Sequence, residues 1–165
     1  LRRRFLLLVL LGFLAVIPVL WYFFSDTGGP LAQDFSLTDL EGNVFRLSDF
    51  RGKVVVVEFM ATWCAFCRQQ LSFFGEDWDE YAGRVVLIII DVDVRETEHT
   101  LSIYASQFPH RDWIWAMDTA NLVRSYGVTA IPKTVIIDQN GRIRSSHTGL
   151  MSPASFKDEI EKLLG

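Results

Sequence analysis

Val54-Val55-Val56-Val57-Glu58-Phe59-Met60-Ala61-Thr62-Trp63-Cys64-Ala65-Phe66-Cys67 carries a β-branched apolar run straight into the chain's two cysteines. Four consecutive valines suit a strand buried on both faces. Beyond the cysteines, Leu71, Phe74, Trp78 and Tyr81 recur at helical spacing, and Gly83 stands where that helix should end. The thiols therefore lie at a strand-to-helix junction. Two residues separate them, so they can close into a disulfide and reopen with little movement of the backbone. A helix N-terminus stabilises negative charge, which favours the thiolate of the first sulfur. The thiolate is the species that attacks disulfides, so the stretch predicts dithiol–disulfide exchange. A purely structural disulfide is a weaker reading, because so short a loop constrains the unfolded chain only slightly. Half of a zinc site would need two further ligands, and His99, His110 and His147 form no His-x-x-x-His type pair.

Upstream of this stretch, Arg51-Gly52-Lys53 punctuates the chain. Before it, Phe35-Ser36-Leu37 and Val44-Phe45-Arg46-Leu47 alternate as half-buried strands do, around a turn over Asp39–Asn43. Ser25–Pro30 reads as a short linker, residues 25–30, from its Ser, Gly and Pro content. Ahead of it, Arg2-Arg3-Arg4 leads into Phe5–Phe24, which holds no charged residue. A stretch of ~20 apolar residues is long enough to cross a bilayer as a helix, and longer than the apolar core of most secretory signals. Residues 1–24 are therefore expected to form an uncleaved transmembrane anchor, with Pro18 kinking it and Trp21 and Tyr22 at the outer interface. The arginines stay on the cytoplasmic side, which places residues 31–165 outside the cytoplasm, in the periplasm or at the cell exterior.

Downstream, Val85–Ile90 is a second β-branched run, closed by Asp91-Val92-Asp93, which reads as a solvated turn in preference to a metal site. Glu98–Phe108 reads as a helix. Trp113-Ile114-Trp115 reads as a short strand, with the two tryptophans expected on opposite sides. Asp118 is placed to N-cap a helix running through Tyr126, with Gly127 after its end. Thr134–Ile137 and Ile143–Ser146 form a hairpin around Gln139-Asn140-Gly141. Ser152-Pro153 opens a last helix whose buried face is Phe156, Ile160, Leu163 and Leu164. Buried strands alternating with helices, then a hairpin and a helix, predict an α/β domain over residues 31–165 with a central mixed sheet covered on both faces.

Half of the 165 residues are hydrophobic, and the N-terminal segment accounts for much of that. Net charge is −4, and without the three arginines near the N-terminus thirteen basic residues face twenty acidic ones. That balance excludes a nucleic-acid surface. Two cysteines build no multi-bridge framework, so the fold stands on its core.

Glu58-Phe59-Met60-Ala61-Thr62-Trp63-Cys64-Ala65-Phe66-Cys67-Arg68 resembles the active-site segment of the thioredoxin superfamily, and Tyr126-Gly127-Val128-Thr129-Ala130-Ile131-Pro132-Lys133-Thr134 resembles that family's cis-proline segment. Asp34–Lys53 is similar to the extra N-terminal hairpin of membrane-anchored TlpA/ResA-type proteins and of peroxiredoxins. The resemblance implies a thioredoxin-like three-layer sandwich with an N-terminal β-hairpin extension. It implies that Cys64 attacks a substrate disulfide and that Cys67, one turn further in, releases the product. Glu58, an acid in an apolar strand, should be buried with a raised pKa, which suits a group taking the proton from Cys67. Pro132 should follow a cis bond and turn the Ile131 backbone toward a substrate strand. Trp63 would be an apolar platform beside the sulfurs, and Phe66 an exposed apolar contact for a protein substrate.

Two positions depart from the family. A lysine often found beside the buried acid falls near Leu87, and a glutamate common three residues after the second cysteine is Gln70. The implied activity is thiol–disulfide exchange on protein disulfides or dithiols, as a reductant of the kind used in cytochrome c maturation. The chain would be a monomer without cofactor or metal, supplied with electrons by a membrane-embedded thiol relay. Three alternatives stand beside it. A peroxiredoxin-type thiol peroxidase would want threonine three residues before its cysteine, whereas Thr62 is two before Cys64. A copper carrier of thioredoxin fold would use a Cys-x-x-x-Cys spacing. A binding module would leave both cysteines inert.

Overall fold

The computed structural model describes residues 28–76 and 78–165. The expected membrane anchor and residues 25–27 of the linker lie outside the described residues. Among those described, no helix is long and apolar enough to cross a membrane.

The elements run β1 (Ser36–Thr38), β2 (Val44–Arg46), a 3-10 turn (Leu47–Phe50), β3 (Val54–Met60), α1 (Ala65–Glu76), α2 (Trp78–Tyr81), β4 (Val85–Asp91), α3 (Glu98–Ala105), β5 (Ile114–Met117), α4 (Leu122–Ser125), β6 (Lys133–Ile137), β7 (Ile143–Thr148) and α5 (Pro153–Leu164). Five strands form one sheet in the order β5-β4-β3-β6-β7. β3, β4 and β5 are mutually parallel, while β6 and β7 are antiparallel to their neighbours. This is the mixed sheet expected from the sequence. The two valine- and isoleucine-rich runs become its adjacent central strands, β3 and β4, and both are buried throughout.

Alternation along these strands divides the core in two. Val54, Val56, Met60, Leu87, Ile89 and Ile136 pack with Cys67, Leu71, Phe74, Leu101, Phe156 and Ile160, on the face covered by α1, α3 and α5. Phe74 and Phe156 meet with ring centroids 4.5 Å apart, which locks α1 to α5. Val55, Val57, Phe59, Ile88, Ile90 and Val135 face the other way, onto Leu122 and the side chains of the hairpin region, Phe35, Leu37, Phe45 and Leu47.

The hairpin forms where its alternation places it, with Leu37 opposite Phe45. Its turn is held by the Asp39 carboxylate, which accepts the amides of Glu41 and Asn43 at 2.9 and 2.8 Å, and Gly42 supplies the left-handed backbone at φ 88°. Leu40 donates its amide to the Trp115 carbonyl at 3.0 Å, so the hairpin shields the β5 edge of the sheet.

Three local expectations are corrected. Trp113 and Trp115 lie on one face, with ring centroids 6.2 Å apart, because residues two apart on extended backbone point the same way. α3 stops at Ala105. The Gln107 and Phe108 amides then bond three residues back, to Tyr104 and Ala105, so the stretch to Phe108 winds as tighter turns. α4 starts after Asn121, which takes a left-handed φ of 58°, and not after Asp118. The Asp118 carboxylate still satisfies the first helical donors from further back, accepting the amides of Leu122 at 2.8 Å and Val123 at 3.0 Å.

Candidate active site

β3 delivers the chain to the sulfurs and α1 begins between them. Cys64 and Cys67 are joined in a disulfide, with Cα atoms 5.2 Å apart. The Cys64 sulfur accepts the backbone amide of Cys67 at 3.1 Å, in the place a capping oxygen takes at a helix N-terminus. In the dithiol form, that amide and the helix dipole stabilise a thiolate on Cys64 in preference to Cys67. Cys64 is 7% exposed and Cys67 0%, so the outer sulfur is the one a partner can reach.

Glu58 lies on the same sheet face as Val56 and Met60, the face that also carries Cys67. It is completely enclosed. Burial pushes its carboxyl up to about 8, while a 2.7 Å hydrogen bond from the Thr134 hydroxyl to Oε2 acts the other way. Its Oε1 receives no hydrogen bond. The solvent-facing position a charged residue would prefer is thus closed to it. A buried acid with a free oxygen and a near-neutral pKa is chemically equipped to take and return a proton. Leu87, at the position expected of a lysine partner, is buried and apolar, and β3 pairs Glu58 with Ile89.

Pro132 follows a cis bond from Ile131 and is buried ahead of β6, whose Thr134 pairs with Glu58 in antiparallel register. Lys133 sends its ammonium to the Gly127 carbonyl at 3.1 Å. Gln70, one turn beyond Cys67, is enclosed and closes a two-way bond with Met151: the Met151 amide reaches Oε1 at 2.6 Å and Nε2 reaches the Met151 carbonyl at 3.3 Å. This amide ties α1 to the segment before α5. Arg68 extends outward, its guanidinium 4.8 Å above the Tyr104 ring and bonded to Gln107 at 2.8 Å. Around the disulfide, Trp63 is 63% exposed and Phe66 64%, two large apolar surfaces left in water beside the reactive sulfur.

Sequence reasoning missed the loop that follows β4. Asp91 is buried, not solvated, because β4 carries it to the level of Met60 on β3. Glu96 accepts the Thr62 hydroxyl at 2.8 Å and the Thr62 amide at 3.2 Å. Asp93 accepts the Trp63 indole N–H at 2.7 Å and two hydrogen bonds from the Arg95 guanidinium, which hold its carboxyl well below the usual carboxylate range. A signal existed: acids just past the carboxyl end of a parallel strand lie where α/β sheets place their sites.

Residues 29–146 match the AhpC/TSA family. The thiol-disulfide oxidoreductase ResA of Geobacillus thermodenitrificans is 32% identical over 98% of this chain and 94% of its own length. That of Geobacillus kaustophilus is 33% identical with the same coverage. Among solved structures, a protein from Chlorobium tepidum assigned as thiol:disulfide interchange protein DsbE is 29% identical. It superposes with a TM-score of 0.75 over 84% of this chain and 98% of its own. The exposed lipoprotein thioredoxin of Streptococcus pneumoniae is 25% identical, with a TM-score of 0.69 over 79% of this chain and all of its own.

Proposed function

The chain belongs to the AhpC/TSA family, and on that premise we propose that it reduces disulfides of proteins outside the cytoplasm through Cys64 and Cys67. It is a thiol–disulfide oxidoreductase of thioredoxin-like fold, similar to ResA. The observation that carries the reading is a disulfide whose outer sulfur accepts a helix N-terminal amide, on a core face that also buries an acid. In the reduced protein, the Cys64 thiolate attacks a substrate disulfide and expels one substrate thiolate, forming a mixed disulfide. Cys67 loses its proton to Glu58 and attacks the Cys64 sulfur. The second substrate thiolate leaves, the Cys64–Cys67 disulfide closes, and two electrons have passed to the substrate. Glu58 gives up its proton when the dithiol is regenerated. The exposed faces of Trp63 and Phe66 hold an apolar stretch of the substrate beside Cys64, and the Ile131 backbone ahead of Pro132 aligns it.

The match to ResA spans 98% of the chain and so extends into the N-terminal segment, which supports reading residues 1–24 as an anchor that keeps the domain on the outer side of a membrane. A membrane thiol relay would then re-reduce it, and cysteine pairs such as those of apocytochrome c are substrates of suitable chemistry. Thr62, the residue a peroxidase would want near the sulfur, commits its hydroxyl to Glu96.

Insulin reduction by the full chain tests the activity. Cys64→Ser should lower it to the uncatalysed background, and turnover surviving that change overturns the assignment. Direction is tested by equilibrating the dithiol with glutathione. A potential near thioredoxin's ~ −270 mV fits a reductant, and one near ~ −120 mV reverses the role.

A further inference from the structure

We propose that Asp91 and Glu96 share a single proton, and that this proton clamps the Thr62–Trp63 loop in front of Cys64. The two carboxyls are within hydrogen-bonding reach of each other. Asp91 is 1% exposed; its Oδ1 accepts the Asp93 amide at 2.9 Å, while its Oδ2 is enclosed and receives no donor. Both Glu96 oxygens already accept from Thr62, one from the hydroxyl and one from the amide. A carboxylate oxygen has a second lone pair to offer, but two ionised carboxylates have no proton between them. With Asp91 enclosed and the half-buried Glu96 beside it, ionising both is strongly disfavoured. The arrangement closes if Asp91 keeps its proton and donates it to a Glu96 oxygen, while both Glu96 oxygens go on accepting from Thr62.

The surroundings favour that division. On the same loop, Arg95 is spent on Asp93, so it does not neutralise Asp91. From β3, Asp91 meets Met60, and from β5 it meets Met117. Asp118, just beyond β5, has its carboxylate occupied by the amides that start α4. From α3, the Tyr104 hydroxyl is enclosed and feels the Glu96 charge, with Arg68 of α1 beyond its ring. Glu58 turns away toward Thr134. Among the described residues no cation is placed on Asp91, and burial together with Glu96 raises its carboxyl well above the ordinary range. Asp93 meanwhile pins the Trp63 indole. The loop after β4 therefore grips both residues that precede Cys64, and ionising Asp91 breaks one of the two grips. Asp91 and Glu96 are positioning residues in this scheme: neither touches the sulfurs.

The clamp is read at the Thr62 amide, independently of redox turnover, so its failure is distinct from a failure of the proposed activity. The experiment follows the Thr62 1H–15N resonance of the oxidised full chain in detergent micelles from about pH 5 to about pH 9. The expected result is one titration displaced from the ordinary carboxylate range toward neutral or alkaline pH. Asp91→Asn, whose amide donates to Glu96 at every pH, should abolish it. Glu58→Gln should leave it in place, which separates the two buried acids. A Thr62 amide that titrates in the ordinary carboxylate range overturns the proposal, as does one that stays constant in the native chain or keeps its titration in Asp91→Asn. If Asp91→Asn does not fold, Glu96→Gln serves instead: loss of the displaced titration supports the shared proton, and its persistence refutes it.

Discussion

Glu58 and Asp91 occupy one face of the same sheet, on adjacent parallel strands, with Met60 between them in register. Both are buried, and in both burial raises the carboxyl far above its value in water. Their partners differ. Glu58 takes one neutral hydroxyl from Thr134 and keeps an oxygen free. Asp91 faces a second carboxylate that is itself bound to the active-site loop. A buried acid with a free oxygen, on the core face that also carries Cys67, can exchange its proton during a reaction. A buried acid locked against another acid holds its proton to fix a shape. Desolvation alone makes both groups unusual, and hydrogen-bond partners decide what each can do.

That contrast can be broken in four ways. The largest effect is expected from Glu58→Gln, which keeps the Thr134 contact but removes the proton acceptor. Turnover with insulin should fall by about 10³-fold, worth ~4 kcal/mol. The rise in rate as pH climbs through about 8 should vanish with it. If the variant turns over normally, Glu58 is a structural acid and the contrast fails. Met60→Ala removes the side chain between the two acids and leaves a cavity under the disulfide. It should cost ~3 kcal/mol in denaturant unfolding, and a loss below ~1 kcal/mol would mean that the core there is loosely packed.

Third comes stability against pH. Glu58 holds its proton more tightly folded than unfolded, so its contribution is complete below the ordinary glutamate range. It is lost progressively as pH rises from there through about 8. Unfolding free energy should drop by on the order of 2 kcal/mol over that span, and by less in Glu58→Gln. A stability that rises across the same window contradicts burial of the neutral acid. The smallest effect is expected from Thr134→Val. It deletes the one hydrogen bond that opposes the raised pKa, costing ~1 kcal/mol, and should move the pH midpoint of turnover upward. A downward movement would show that Thr134 does not support the ionised form.

Much of the fold was legible because its signals are local. The Val54–Val57 and Val85–Ile90 runs became the central strands, and Ser152-Pro153 opened α5 with the Ser152 hydroxyl accepting the Ser155 amide at 3.2 Å. Cys64, Cys67 and Glu58 stand out by residue type and spacing, and the cis bond before Pro132 follows from the resemblance to the thioredoxin superfamily. Glu96 was not found, because nothing near it in sequence marks it; its partner Thr62 lies thirty-four residues away. Asp91 reads as part of a solvated turn in the sequence because an acid after a strand ordinarily faces water. Asp118 reads as the cap of the right helix, but the chain inserts a left-handed Asn121 before the first turn.

Residue order alone dictates that a dithiol stands between a buried strand and an amphipathic helix, and that an acid lies in that strand. These follow from periodicity and from the cost of placing each residue type against its immediate neighbours. Three-dimensional packing settles which acids share a face, which of them meets a hydroxyl and which another carboxylate. Those outcomes depend on β4 lying beside β3 and on helices sealing the sheet from water, so they are set by strand order and burial, which no window of neighbouring residues encodes.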